Sequence, residues 1–292
     1  MRLLNRIPIR IHSWGGLGSQ LFAWALHEDL AKRFPSRQII FIHHESGVTL
    51  RESELSVFFP GKVISVHDWN PIVFSDTPVT KKIDVRSMIF TFGKKILGFL
   101  GLVVEANTDT DFLRIRPWLL STRGHYSYRT ITSQVIQSMM EKSMAFANPI
   151  ISDSDETINK LALHYRLGDL LVLHEKSPMD PARLKSLLQL DANLLIGKIE
   201  LFSDSPSVAL DILTKLTIDY EISTTNSQPI ETLKTLTTFS RFIGTNSKIS
   251  IWAALFLVWK SPTAYIWLPY ELNLQIQYNL ELDQSNNRIC FY

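Results

Sequence analysis

The sequence holds a single cysteine in 292 residues, Cys290, so no internal disulfide can form. That suits a reducing compartment. It contains no Asn-x-Ser/Thr sequon, and nothing hints at secretory glycosylation. The opening Met1-Arg2-Leu3-Leu4-Asn5-Arg6 lacks the apolar core of a signal peptide. Long hydrophobic runs are missing as well. The most apolar windows, residues 96–104 and 249–259, fall short of the ~20 residues a bilayer span needs. A cytoplasmic location is expected. Strong net charge is absent too: +2 is too small to imply nucleic acid or an anionic membrane as partner. Neither a Gly-x-Ser-x-Gly elbow nor the lysine of a P-loop occurs. His43-His44 has no carboxylate or cysteine at metal-ligand spacing.

What is present describes an ordinary globular chain, with 45% hydrophobic and 20% charged residues. Its length allows one large domain or two of about 140 residues. Residues 7–12 read as a strand, 13–19 as a glycine-rich turn, 20–34 as a helix and 38–43 as the next strand. Leu21, Ala25, Leu26 and Leu30 share one face of that helix. Strand, helix and strand in this order make a βαβ unit and predict a parallel sheet. The second half repeats the theme. Strands are expected at 161–165, 199–202, 220–222 and 265–268, and helices at 208–216, 229–239 and 248–259. Residues 60–130 show weak periodicity. A helix at 134–146 would close a first domain, 1–147, and residues 148–155 would link it to a second, 148–292. Ligands of open α/β sheets bind at the carboxyl ends of the strands, where the polar turns lie.

Several clusters could carry chemistry. The first is Trp14-Gly15-Gly16-Leu17-Gly18-Ser19-Gln20-Leu21-Phe22. Its glycines let backbone approach a ligand, and the following helix offers N–H groups to an anion; a tight strand-to-helix turn is the plain alternative. The second is His164-Tyr165-Arg166-Leu167-Gly168-Asp169, set between apolar runs. An arginine there needs an anionic partner, either Asp169 or a phosphate. Strand alternation puts His164 and Arg166 on one side. The third is Thr245-Asn246-Ser247-Lys248-Ile249-Ser250-Ile251-Trp252, where Asn246 or Ser247 would cap a helix and could add a second anion site. Phe202-Ser203-Asp204 could hold a ribose or base, or simply start a helix. Asp109-Thr110-Asp111 and Asp153-Ser154-Asp155 spell Asp-x-Asp, a metal-holding triplet in some sugar transferases, but such triplets arise often by chance. The second reads better as helix-capping residues.

In order and spacing these segments resemble the bacterial α1,2-fucosyltransferases of glycosyltransferase family 11, and more distantly the α1,6- and protein O-fucosyltransferases. That family opens with Gly-Gly-Leu-Gly-Asn-Gln-Leu-Phe; residues 15–22 read Gly-Gly-Leu-Gly-Ser-Gln-Leu-Phe. Its His-x-Arg-Arg-Gly-Asp appears as His-Tyr-Arg-Leu-Gly-Asp at 164–169, and its Phe-Ser-Asp at 202–204. Its last element, near Asn-Ser-Ser/Thr-Phe-Ser-Trp-Trp-Gly-Ala, appears as Asn-Ser-Lys-Ile-Ser-Ile-Trp-Ala-Ala at 246–254.

The resemblance implies a GT-B fold, two Rossmann-like α/β domains facing across a cleft. It implies inverting transfer of fucose from GDP-fucose to an oligosaccharide hydroxyl, in α1,2 linkage, in surface polysaccharide or O-antigen synthesis. No cofactor and no essential metal are expected. Arg166 would contact the β-phosphate. His164, Ser203, Asp204, Asn246, Ser247 and Lys248 would help hold the donor, and Gly15, Gly16 and Gly18 would line the cleft. Asp169 or His174 would take the acceptor proton. A lipid-linked glycan acceptor would bring the chain to the inner membrane face, where Trp118, Trp259 or Trp267 could help, although a place in the core is the plainer reading of each. Ser19, Leu167 and Lys248 depart from the family pattern. Leu167 in place of arginine would remove one charge-assisted hydrogen bond, of order 1.5–3 kcal/mol, and Lys248 could restore the charge. The alternatives are a transferase for another GDP-deoxysugar, a metal-dependent transferase, or a non-catalytic relative. Oligomeric state is not readable from the sequence.

Overall fold

The computed structural model describes residues 6–45, 51–67, 93, 96–144, 160–168, 179–190, 197–216, 220–225, 228–261, 263–280 and 289–292. The chain divides into two compact units, Met1–Met139 and Met140–Tyr292. The expected linker at 148–155, with Asp153 and Asp155, lies outside the described residues, as do Asp169 and His174.

The first unit carries a parallel sheet of β1 (Ile9–Trp14), β2 (Ile39–His44), β3 (Val63–Val66), β4 (Val103–Glu105) and β5 (Ser121–Arg123), in the order β3-β2-β1-β5-β4. Helix α1 (Leu17–Arg33) joins β1 to β2. It starts earlier than the sequence suggests, because Gly16 already serves as its N-cap and Gly18 and Ser19 are helical. It buries Leu21, Phe22, Trp24, Leu26 and Leu30 and ends on Lys32 and Arg33, cations suited to the helix C-terminus. Two short helices follow, α2 (Leu55–Phe58) and α3 (Asp109–Leu113), and then α4 (Ser133–Met144), which crosses the boundary between the units.

The second unit carries six parallel strands: β6 (Leu161–His164), β7 (Lys198–Phe202), β8 (Glu221–Thr225), β9 (Arg241–Gly244), β10 (Tyr265–Leu268) and β11 (Ile289–Phe291). Their order is β8-β7-β6-β9-β10-β11. Counted within the unit this is 3-2-1-4-5-6, the order of a dinucleotide-binding Rossmann sheet. Helices α5 (Pro181–Leu190), α6 (Pro206–Lys215), α7 (Pro229–Leu236), α8 (Lys248–Lys260) and α9 (Asn273–Asn279) accompany the strands. β6 is buried at every residue, as expected of a central parallel strand covered on both faces. The whole run Ile249–Leu257 of α8 is buried too.

Candidate functional site

In a 3-2-1-4-5-6 sheet the connections diverge between the first and fourth strands, and ligands bind in the crevice at their carboxyl ends. Here those strands are β6 and β9. They are paired with His164 opposite Gly244, the last residue of each. A Cβ on Gly244 would sit 2.6 Å from Ser250 Cβ and 2.7 Å from Leu268 Cδ2, so only glycine lets the start of α8 come this close. The approach puts the Ser250 hydroxyl 2.8 Å from His164 Nδ1, where it also accepts from the Thr245 amide at 3.1 Å. The Thr245 hydroxyl in turn accepts from the Arg166 amide at 3.0 Å. Tyr292 Oη donates to the Gly244 carbonyl at 2.8 Å. Ser247 is the N-cap of α8, its hydroxyl accepting from the Ile249 amide at 3.2 Å.

The β7 end completes the cluster. Asp204 Oδ1 accepts from the Leu167 amide at 2.9 Å and from the Gly168 amide at 3.0 Å. The carboxylate is thus a latch on the turn after β6. Gly168 fits beneath it: a Cβ there would lie 2.2 Å from Asp204 Oδ2. Ser203 uses its hydroxyl locally, accepting from the Ser205 amide at 3.1 Å before α6 begins.

Leu167 corrects one expectation. Its side chain is fully buried, in one apolar cluster with Leu161, Leu163, Tyr165, Leu201 and Trp267. The period-two alternation of β6 runs on through the turn, so odd positions face the core. Position 167 therefore holds no phosphate-binding place left vacant by a missing arginine. His164 occupies the other side, against Ser250, and the half-buried Arg166 shares its parity.

Burial pushes the His164 imidazole down to about 4; Asp204 raises it and Arg166 lowers it further. The ring is neutral near pH 7, and where Nδ1 accepts from Ser250 its proton sits on Nε2. A neutral donor beside an arginine and a capped helix N-terminus makes a surface suited to phosphate oxygens.

In the first unit Gly15 adopts a positive φ of 75° and Gly16 caps α1 without a side chain. Gln20, fully buried, holds this turn. Its Nε2 donates to Gly15 O and Glu52 O, and its Oε1 accepts from the Glu54 and Leu55 amides. At the start of α1 the Glu54 carboxyl accepts from the Leu17 amide. Burial still raises that carboxyl to about 7. At the ends of β1 and β2, His12 Nδ1 lies 2.8 Å from His44 Nε2 and Ser13 Oγ 3.2 Å from His43 Nδ1. Burial, then His44 and Arg10, lowers His12 to about 3.

The structure therefore gathers His164, Arg166, Ser203, Asp204, Asn246, Ser247 and Lys248 at the ends of β6, β7 and β9. Asn246 is exposed and Lys248 half-buried. Gly15, Gly16 and Gly18 belong to the other unit. Three participants were not singled out in the sequence: Thr245 and Ser250, whose motif gave a signal, and Tyr292, which gave none. Asp109 and Asp111 serve structure. Asp111 forms a capping box with Thr108, and Asp109 accepts from the Thr130 amide and hydroxyl.

No protein-family model and no curated protein matches the sequence. Solved structures with a faint likeness include a glycosyl transferase of family 9 from Veillonella parvula, at a TM-score of 0.43 and 10% identity over 90% of this chain and 80% of that one. The E. coli heptosyltransferase WaaC with ADP gives a TM-score of 0.45 and 12% identity over 98% and 93%. The NodZ α-1,6-fucosyltransferase soaked with GDP-fucose gives 0.42 and 12% over 86% and 93%.

Proposed function

We propose that the chain is an inverting glycosyltransferase of GT-B architecture that takes fucose from GDP-fucose to an oligosaccharide hydroxyl, in α1,2 linkage. One observation carries this reading. The motif residues His164 and Arg166, with the capped N-terminus of α8, meet at the topological switch point of a Rossmann-ordered sheet. The donor diphosphate would lie there, with Arg166, Lys248 and the α8 amides around its oxygens. The acceptor hydroxyl attacks the anomeric carbon, the bond from that carbon to the diphosphate oxygen breaks, and GDP leaves. Negative charge gathers on the departing diphosphate, where fixed donors lower the barrier. The acceptor proton passes to Asp169 or His174.

Calorimetry with GDP, UDP and dTDP tests the donor class. GDP should bind best, and Arg166→Ala should weaken it about 10- to 100-fold, the range of one charge-assisted hydrogen bond. Far-UV circular dichroism should remain unchanged. No heat with GDP on the folded chain, or full transfer by the Arg166→Ala protein, overturns the proposal.

A further inference from the structure

The first unit carries an exposed apolar tip outside the strand-end clusters described above. Residues 96–99 form a last helical turn, which a Schellman motif closes. Gly101 has φ 69°, its amide donates to Gly98 O at 2.9 Å, and the Leu102 amide reaches back to Leu97 O at 2.9 Å. This rigid stop presents Phe99 at 92% exposure and Leu100 at 49%. Leu113, at 73%, and Trp118, at 43%, come from the following segment. Trp118 Nε1 donates to Leu100 O at 2.7 Å, which pins the indole beside the turn. Arg114 and Arg116, both exposed, line the same depression as Phe99, Leu100 and Trp118, about 660 Å³ in volume. Among the described residues neither arginine is in an ion pair, whereas Arg123 is held by Glu105 and Asp111 by its capping box.

We infer that this tip docks on the surface of an anionic lipid bilayer. A projecting ring as exposed as Phe99 costs solubility unless something covers it. A bilayer interface accepts leucine and phenylalanine among its acyl chains, tryptophan at headgroup depth and arginine at the phosphates. Arginine stems also allow the charge to stay in the headgroup layer while the apolar residues enter. A second copy is a poorer occupant, because a two-fold contact of this patch would gather the Arg114 and Arg116 charges of both copies in one interface. No helix among the described residues is long and apolar enough to cross a membrane, so the contact is peripheral. The inference is independent of the transferase reading. If both hold, the acceptor is reached at a lipid surface.

Sedimentation of the full chain with vesicles tests it. Vesicles of phosphatidylglycerol and phosphatidylethanolamine should carry the protein down, and pure phosphatidylcholine should not. Phe99→Ser with Leu113→Ser should weaken binding about tenfold or more. Arg114→Gln with Arg116→Gln should weaken it about tenfold and flatten its dependence on salt. All these side chains are exposed, and matched urea midpoints confirm intact folding. Failure of the natural chain to sediment with anionic vesicles overturns the inference. So does equal binding to phosphatidylcholine, or unchanged binding by either double variant. Self-association by sedimentation velocity, lost in the Phe99→Ser protein without vesicle binding, would assign the tip to a second copy instead.

Discussion

Asp204 offers the sharpest test, because sequence and structure give it different work. The sequence offers this carboxylate a ribose or base, or the start of a helix. In the structure one of its oxygens takes two backbone amides of the turn that carries Arg166. Hydrogen bonds to a charged acceptor contribute about 1.5–3 kcal/mol each, but Asp204 is exposed and water competes at its oxygens. Discounted for that, Asp204→Ala should cost about 2 kcal/mol of stability. Asp204→Asn keeps a carbonyl acceptor and should cost less than about 1 kcal/mol.

Gly168→Ala probes the same latch from below. Its Cβ would fall 2.2 Å from Asp204 Oδ2, and the carboxylate cannot swing away without giving up the two amides. A cost of about 1–3 kcal/mol follows. With Asp204 already alanine the clash has no object, so the double variant should be more stable than the sum predicts, by about 1 kcal/mol or more. Urea denaturation at constant slope measures all four proteins, and calorimetry with GDP follows the site. Additive losses would refute the latch. An Asp204→Ala protein of natural stability that no longer bound GDP would return the carboxylate to the nucleotide.

Two further outcomes follow from burial. His164 is held neutral in the fold, down to about 4 against 6.5 in the unfolded chain, so below pH 6.5 the unfolded state binds the extra proton and stability falls with pH until about 4. Between pH 7 and pH 5 this amounts to about 2 kcal/mol, and urea midpoints of natural and His164→Gln proteins at both pH values should show a loss larger by that amount in the former, since His12, lowered to about 3, acts in the same sense in both. The difference between proteins is the readout, because Glu54, raised to about 7, acts with the opposite sign and loses stability as pH rises through 4.5 to 7. Leu167→Arg, which supplies the arginine of the motif this stretch resembles, should destabilise the chain by several kcal/mol by forcing a charge into a fully buried site, without tightening GDP binding. Tighter binding at natural stability would contradict the placement of residue 167.

Position 167 also shows where reading a sequence stops. The order of strands and helices was open to inspection, since hydrophobic period and caps are local. The βαβ unit at residues 9–44 and the elements from 198 to 268 come out close to their expected bounds, except β9, a four-residue strand that the sequence reading did not name. The Ser247 cap could be chosen over Asn246 only in three dimensions, because both residues carry a capping oxygen. Residues 103–123 gave little warning of β4 and β5. These strands are three residues each, too short for alternation to register, and the pairing of β5 with β1 is a non-local event. The same limit hid Thr245, Ser250 and Tyr292. The Ser250 hydroxyl reaches His164 only because Gly244 lets α8 approach β9, and no spacing along the chain encodes that distance or brings Tyr292 to the Gly244 carbonyl. A motif aligned by letters treats each position as equally exposed to the ligand. The turn after β6 does not: it alternates, sending His164 toward Ser250 and Leu167 into the core. A leucine there is a matter of packing before it is one of chemistry.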